Sequence, residues 1–165
     1  MKKTYRISAL VLVLVMLAGL LCACGDKAED VNVPVADIAA EVASALGKTD
    51  ALTTVDDNWI KGWMKADVAQ FDGHAVMINA YGANVDEFGI FKAGENSSVK
   101  DVQAMVEAYL QLRMDSWMDE YIPEEKPKLE NAEVKVIGNY VMYCILSDAD
   151  ADTAFATFES CLSAK

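Results

Sequence analysis

An α+β fold, with an antiparallel sheet of about four strands covered by helices, is what this sequence predicts. Three observations carry that expectation. Two pairs of β-patterned runs are each split by turn-forming residues, 74–81 with 85–92 and 132–137 with 140–147. Between the pairs an apolar stripe recurs at steps of three and four from Val99 to Tyr121, the period of a helix. Shorter helical patterns flank the whole, giving the order helix, two strands, long helix, two strands, helix, and this order favours α+β over a parallel βαβ arrangement.

The elements follow in turn. Pro34 suits a first helical position, and Val35, Ile38, Ala39, Val42 and Leu46 continue at helical spacing until Gly47 provides a stop. In ALTTVDDNWIKGWMKADVAQFDG the pairs Trp59/Trp63 and Ile60/Met64 are four apart, which suits a helical turn or two. HAVMINAY (74–81) and VDEFGIFK (85–92) flank Gly82-Ala83-Asn84 and read as a hairpin. Ser98-Val99-Lys100-Asp101 has the spacing of a capping box, with Asp in the usual Glu position. The stripe that follows, Val99, Val102, Val106, Tyr109, Leu110, Arg113, Trp117 and Tyr121, tolerates one arginine. It predicts a central helix of about 24 residues, ~36 Å, ended by Pro123. Gly138-Asn139 joins the second hairpin, whose YVMYCIL run is apolar on both faces and so belongs inside the sheet. Ala154, Phe155, Phe158 and Leu162 share one face of a C-terminal helix with an acidic start.

The amino terminus has a different character. Lys2, Lys3 and Arg6 precede an uncharged run from Ile7 to Leu21, shorter than the ~20 residues a membrane-crossing helix needs. This is the pattern of a signal peptide. Leu21-Cys22-Ala23-Cys24 resembles the bacterial lipobox, with a branched apolar residue at minus three, a small one at minus one, and then the cysteine that is diacylated. Placing Cys22 at the modified position would put Leu21 at minus one, so Cys24 fits and Cys22 does not. The expected organisation is a lipoprotein signal peptide over 1–23, a lipidated N-terminus and flexible tether over 24–33, and a single globular domain over 34–165. A C-x-C metal site at Cys22 and Cys24 would need partner ligands close by, and the flanking residues offer none.

Charge narrows the choice of partners. The chain carries 14 Lys plus Arg and 26 Asp plus Glu. Residues 1–23 hold three of the bases and no acid, so a chain starting at Cys24 keeps 11 bases against 26 acids, formally −15. Nucleic acid and an anionic bilayer surface both repel such a domain. The expected membrane partnership is therefore covalent, through an N-terminal diacylglyceryl cysteine at Cys24 whose two acyl chains make a stable anchor. Localisation follows as the extracytoplasmic face of the cell membrane.

Gly82-Ala83 and Asp86-Glu87-Phe88-Gly89-Ile90-Phe91-Lys92, followed by Tyr121, Pro123, Asn131-Ala132, Val134, Gly138, Tyr140-Val141 and Ser147-Asp148, are similar to the pattern of small lipoproteins bearing domain of unknown function 4358, found mostly in Gram-positive anaerobes. With the lipobox, the resemblance spans nearly the whole chain after the signal peptide. It implies a lipoprotein outside the cytoplasmic membrane and assigns no activity to any residue. The segment Trp59-Ile60-Lys61-Gly62-Trp63 stands apart from that pattern.

Residues that could carry chemistry are few. His74 is the lone histidine, without a second His or a Cys near it in sequence for a zinc site or a triad. Asp148, Asp150, Asp152 and Glu159 imitate a calcium loop, yet Thr153 stands where the loop requires Gly, and Phe155 and Phe158 keep helical spacing. Those acids suit the start of a helix better. Cys144 and Cys161 leave two readings open, a disulfide worth ~3 kcal/mol or two buried thiols. Trp59 and Trp63, with Phe71 and Trp117, offer an aromatic binding surface or ordinary core. Glu124-Glu125 reads as a solvated turn. No catalytic residue, metal or cofactor is implied, and the expected function is a non-enzymatic module binding an envelope protein or cell-wall component. A small envelope hydrolase or a ligand-binding accessory of a transporter is the competing expectation.

Overall fold

The computed structural model describes residues 32–81 and 83–163. The expected signal peptide with Cys22, the expected lipidation site Cys24, residues 25–31 of the expected tether, and Gly82 lie outside the described residues.

Five strands form one antiparallel sheet in the order β1-β2-β3-β5-β4: β1 Leu52–Thr54, β2 Phe71–Asn79, β3 Glu87–Ala93, β4 Glu133–Ile137 and β5 Tyr140–Ile145. The class is α+β as expected, and both hairpins are present. The extra strand is β1, which pairs Leu52 with Asn79 at the sheet edge. Three residues are too short to display a period of two, so the sequence pattern could not reveal it.

Among the described residues five α-helices accompany the sheet: α1 Val35–Ala45, a short α2 Asp57–Trp59, α3 Val99–Asp115, a short α4 Lys126–Glu130 and α5 Asp148–Leu162. α1 ends at Leu46, and Gly47 then takes φ +64°, the left-handed conformation that glycine adopts without strain. α2 runs directly into a π-helical turn, Ile60–Met64, which closes at Lys65 with φ 56°. α3 opens with the expected capping box: the Ser98 hydroxyl accepts from the Asp101 N–H and the Asp101 carboxylate accepts from the Ser98 N–H. It has 17 residues and stops at Asp115, short of the expected Pro123. Beyond the helix end the half-buried Trp117 packs against the core, while Tyr121 is 58% exposed. The last two members of the apolar stripe thus share a period with the helix without sharing its core face.

Both faces of the sheet are covered. On one, Ile38 and Val42 of α1 and Ala154 and Phe158 of α5 pack on Phe88, Ile90, Met142 and Cys144. On the other, Val102, Val106 and Tyr109 of α3, Ile60 and Met64 of the π-turn and Leu129 of α4 pack on Val76, Phe91, Val141, Tyr143 and Ile145. Every residue of β5 is buried, as its two-faced apolarity anticipated.

Asn32 and Val33, the last two residues of the expected tether, are bonded to the sheet. The Tyr140 hydroxyl donates to the Val33 carbonyl at 2.8 Å and accepts from the Val33 N–H at 2.9 Å. Lys92 Nζ donates to Asn32 Oδ1 at 2.8 Å. Asn32 and Val33 are therefore part of the folded unit.

Candidate functional site

Glu87 is the least expected residue in the core. It opens β3 on the α3 face, and only 2% of it is exposed. A carboxylate taken out of water must be compensated, and three donors converge on this one. Tyr143 Oη donates to Oε1 at 2.5 Å, Tyr109 Oη donates to Oε1 at 2.7 Å, and Arg113 Nη1 donates to Oε2. The same Nη1 donates to Tyr109 Oη at 2.8 Å, closing the cluster.

Sequence dictates each position. Tyr109 and Arg113 are four apart on α3, so both project from the same face. Tyr143 lies directly opposite Gly89 in the β3–β5 register, and its ring occupies the space above that glycine. Any Cβ at residue 89 would collide with the tyrosine ring, so Gly89 is what lets Tyr143 lean across to Glu87. Burial and the Glu87 carboxylate push both phenols well above their ordinary range. Burial alone would lower Arg113, but the charge of Glu87, together with Tyr109 and the hydrogen bonds to both, more than offsets it and holds the guanidinium above its usual value.

The residue before it, Asp86, is also buried and is compensated differently. Lys48 Nζ meets Oδ2 at 2.5 Å and Lys128 Nζ meets Oδ1 at 2.7 Å. Lys48 also reaches Asp150 at 2.8 Å, and Lys128 reaches Glu125 at 2.8 Å. The row Asp150-Lys48-Asp86-Lys128-Glu125 alternates in sign and ties the loop after α1, the start of β3, α4 and α5 together. Partial burial opposes the charge of both lysines, yet the bonds to their acid partners raise them, while Lys48 lowers Asp150. Glu125 is thus no solvated turn residue, since its Oε2 also accepts from the Val85 N–H at 3.0 Å.

Above these two acids lies a cleft of about 300 Å³ whose walls include Trp59, Trp63, Asn79, Asn84 and Arg113. A second cavity of about 370 Å³, lined by Gly62, Trp63, Lys65, Leu112, Arg113 and Ser116, adjoins it, so Trp63 and Arg113 belong to both. The two tryptophans take different roles. Trp59 is half-buried with its ring edge-on to Tyr109 at 6.0 Å, whereas Trp63 is 56% exposed. Their ring centroids lie 6.3 Å apart. Phe71 and Trp117 pack in the core and add nothing to the aromatic surface.

The other candidate residues lie elsewhere. His74 on β2 pairs its Nε2 with Asp57 Oδ1 at 3.0 Å and does not line the cleft. The run from Asp148 to Glu159 is helical, capped by the Ser147 hydroxyl accepting from the Asp150 N–H, with Phe155 and Phe158 in the core. Among the described residues no group of three His, Cys, Asp or Glu side chains is placed to hold a metal ion. Cys144 lies buried on β5 and Cys161 half-buried on α5. Burial pushes the Cys144 thiol far above its ordinary value and keeps it protonated, a poor partner for exchange. Among the described residues no helix is long and apolar enough to cross a membrane.

The Glu87 cluster escaped sequence reasoning, although two signals were present. Glu87 interrupts an apolar strand and Arg113 interrupts an apolar helical stripe, and each is the other's explanation.

Comparison with known proteins gives one result. No curated protein and no solved structure matches the chain. Residues 44–146 match the family described as domain of unknown function (DUF4358), a span that begins in α1 and takes in every strand, the cleft and the Glu87 cluster. With more than half of its 165 residues inside that match, the chain belongs to the DUF4358 family.

Proposed function

We propose that this protein is a lipid-anchored, extracytoplasmic binding domain that engages an envelope protein or cell-wall component through the Trp59/Trp63 cleft, without catalysing a reaction. The observation that carries this reading is how the cleft uses its reactive groups. Glu87 accepts from three protein donors, Asp86 is held by two lysines, and the surface left to a partner is the exposed ring of Trp63 with the rim of Arg113. A general base needs an oxygen within reach of substrate, and these carboxylate oxygens are turned inward. His74, the one residue suited to proton transfer at neutral pH, faces Asp57 outside the cleft.

The anchor rests on Leu21-Cys22-Ala23-Cys24 and on the acidity of the chain, which gives the domain no electrostatic affinity of its own for an anionic bilayer. Cys24→Ala is expected to release the protein from membranes and abolish its labelling by a lipid precursor, and undiminished labelling would overturn the anchor. For the binding face, a photo-crosslinking residue replacing Trp63 in intact membranes is expected to yield a discrete adduct, and the same residue at Glu41 on α1 is expected to yield none. Equal adducts at both positions would remove the cleft from the function.

A further inference from the structure

Arg113 is only half used. Its contacts with Glu87 and Tyr109 both pass through Nη1, and its other N–H groups have no acceptor among the described residues. A guanidinium presents five donors in a planar fork, matched to a carboxylate. The remaining donors belong to a residue that lines the two cavities flanking Trp63.

The outer cavity has a composition unusual for this chain. Its lining combines Trp63, 56% exposed, and Leu112, 43% exposed, with the bases Arg113 and Lys65, and it includes no acid. The whole chain carries a formal charge of −12. Lys65 Nζ is held beside the π-turn by the Gly62 carbonyl at 2.5 Å. Together Arg113 and Lys65 bring two positive charges, and the nearby Glu87 brings one negative, leaving a surplus of one. That surplus suits a monoanion and disfavours a dianion such as a phosphate monoester. At about 370 Å³ the cavity is at the small end of ligand sites, and its apolar walls call for an apolar body.

We propose that the Arg113–Trp63 wall recognises a small ligand bearing a carboxylate on an apolar body. The carboxylate takes the outer edge of the guanidinium, and the body lies against Trp63 and Leu112. Glu87 and Tyr109 hold the guanidinium in place as positioning residues, so the fork is set before a ligand arrives. The inference rests on the cleft being the binding face and assigns that face a ligand class.

Calorimetric titration of the intact chain with N-acetyl-phenylalanine and with its primary amide tests it. The acid is expected to bind saturably, and the amide at least about tenfold more weakly, because it lacks the charged half of the contact. Leu112→Glu, an exposed substitution that sets a carboxylate beside Arg113, is expected to abolish binding of the acid, and Trp63→Ala to weaken it severalfold. Equal affinity for acid and amide, tighter binding of phenyl phosphate, or no binding of the acid at millimolar concentration would each overturn the proposal. The crosslink at position 63 distinguishes the two failures: an adduct there without carboxylate binding keeps the binding face and discards the ligand class.

Discussion

The two faces of the sheet are closed by opposite means. Under α1 and α5 the packing is of Ile38, Val42, Phe88, Ile90, Met142 and Phe158, and stability there comes from apolar area and shape. Under α3 the layer of Val102, Val106, Phe91 and Ile145 is interrupted by a carboxylate, two phenols and a guanidinium. A buried ion pair is seldom more stabilising than a well-packed apolar replacement, because the desolvation of both charges offsets their attraction. Retaining one on the α3 face, beside the cleft, points to positioning rather than stability as its use. Toward α1 and α5 the buried acid is Asp86, which ion pairs with lysines compensate in place of phenols and a guanidinium.

The sharpest way to break this contrast is to remove one charge. Arg113→Met leaves Glu87 buried beside two phenols without its cation, and is expected to cost about 3–5 kcal/mol in denaturant unfolding. Phe158→Ala on the other face is expected to cost about as much through the cavity it leaves. The double variant Glu87→Leu with Arg113→Met separates the two mechanisms. It should recover much of the loss, whereas no second polar change can repair Phe158→Ala. If the double variant is as unstable as the single one, the buried charge was not the cause.

A smaller effect is expected at Gly89. Gly89→Ala drives a methyl into the Tyr143 ring, and overpacking of this kind costs about 1–3 kcal/mol. Thermal unfolding should show the loss, and Tyr143→Leu in the same chain should relieve part of it. Full additivity of the two changes would place the strain elsewhere.

The smallest effect concerns pH and the Asp86 row. Asp150 is lowered from 3.8, so its contribution is present above that value and is lost as pH falls through the lower folded value. Lys48 and Lys128 are raised from 10.5, so theirs is present below 10.5 and is lost only as pH rises through the higher folded values. This row is therefore expected to leave the melting temperature level between about pH 4 and pH 10, with a decline on each side. Asp86→Asn should flatten the alkaline decline, and an unchanged profile would show that the row contributes little.

Most of the fold was legible because its signals are local. The Ser98 capping box, the Gly138-Asn139 turn and the two-faced apolarity of Tyr140 to Ile145 each report a conformation within a few residues. β1 was too short to carry a pattern, and the end of α3 was hidden by Trp117 and Tyr121 continuing its period in a different structure. The site was harder to read because it is non-local. Trp59 and Trp63 could be selected from their spacing, but Glu87 lies 26 residues from Arg113 and 56 from Tyr143, and it takes the β3–β5 pairing and the packing of α3 on the sheet to bring them together. What the sequence did display was two charged residues in apolar surroundings, and asking what each would require in the interior would have led from one to the other.

The bonds that hold Asn32 and Val33 also fix where force or tethering is applied to the molecule. Both act near the Lys92/Tyr140 end of the central strands, while Glu87 is five residues further back along β3, ~17 Å away at ~3.3 Å per residue. Whatever the chain ahead of Asn32 is fastened to, tension arrives at one end of the sheet and the cleft opens at the other.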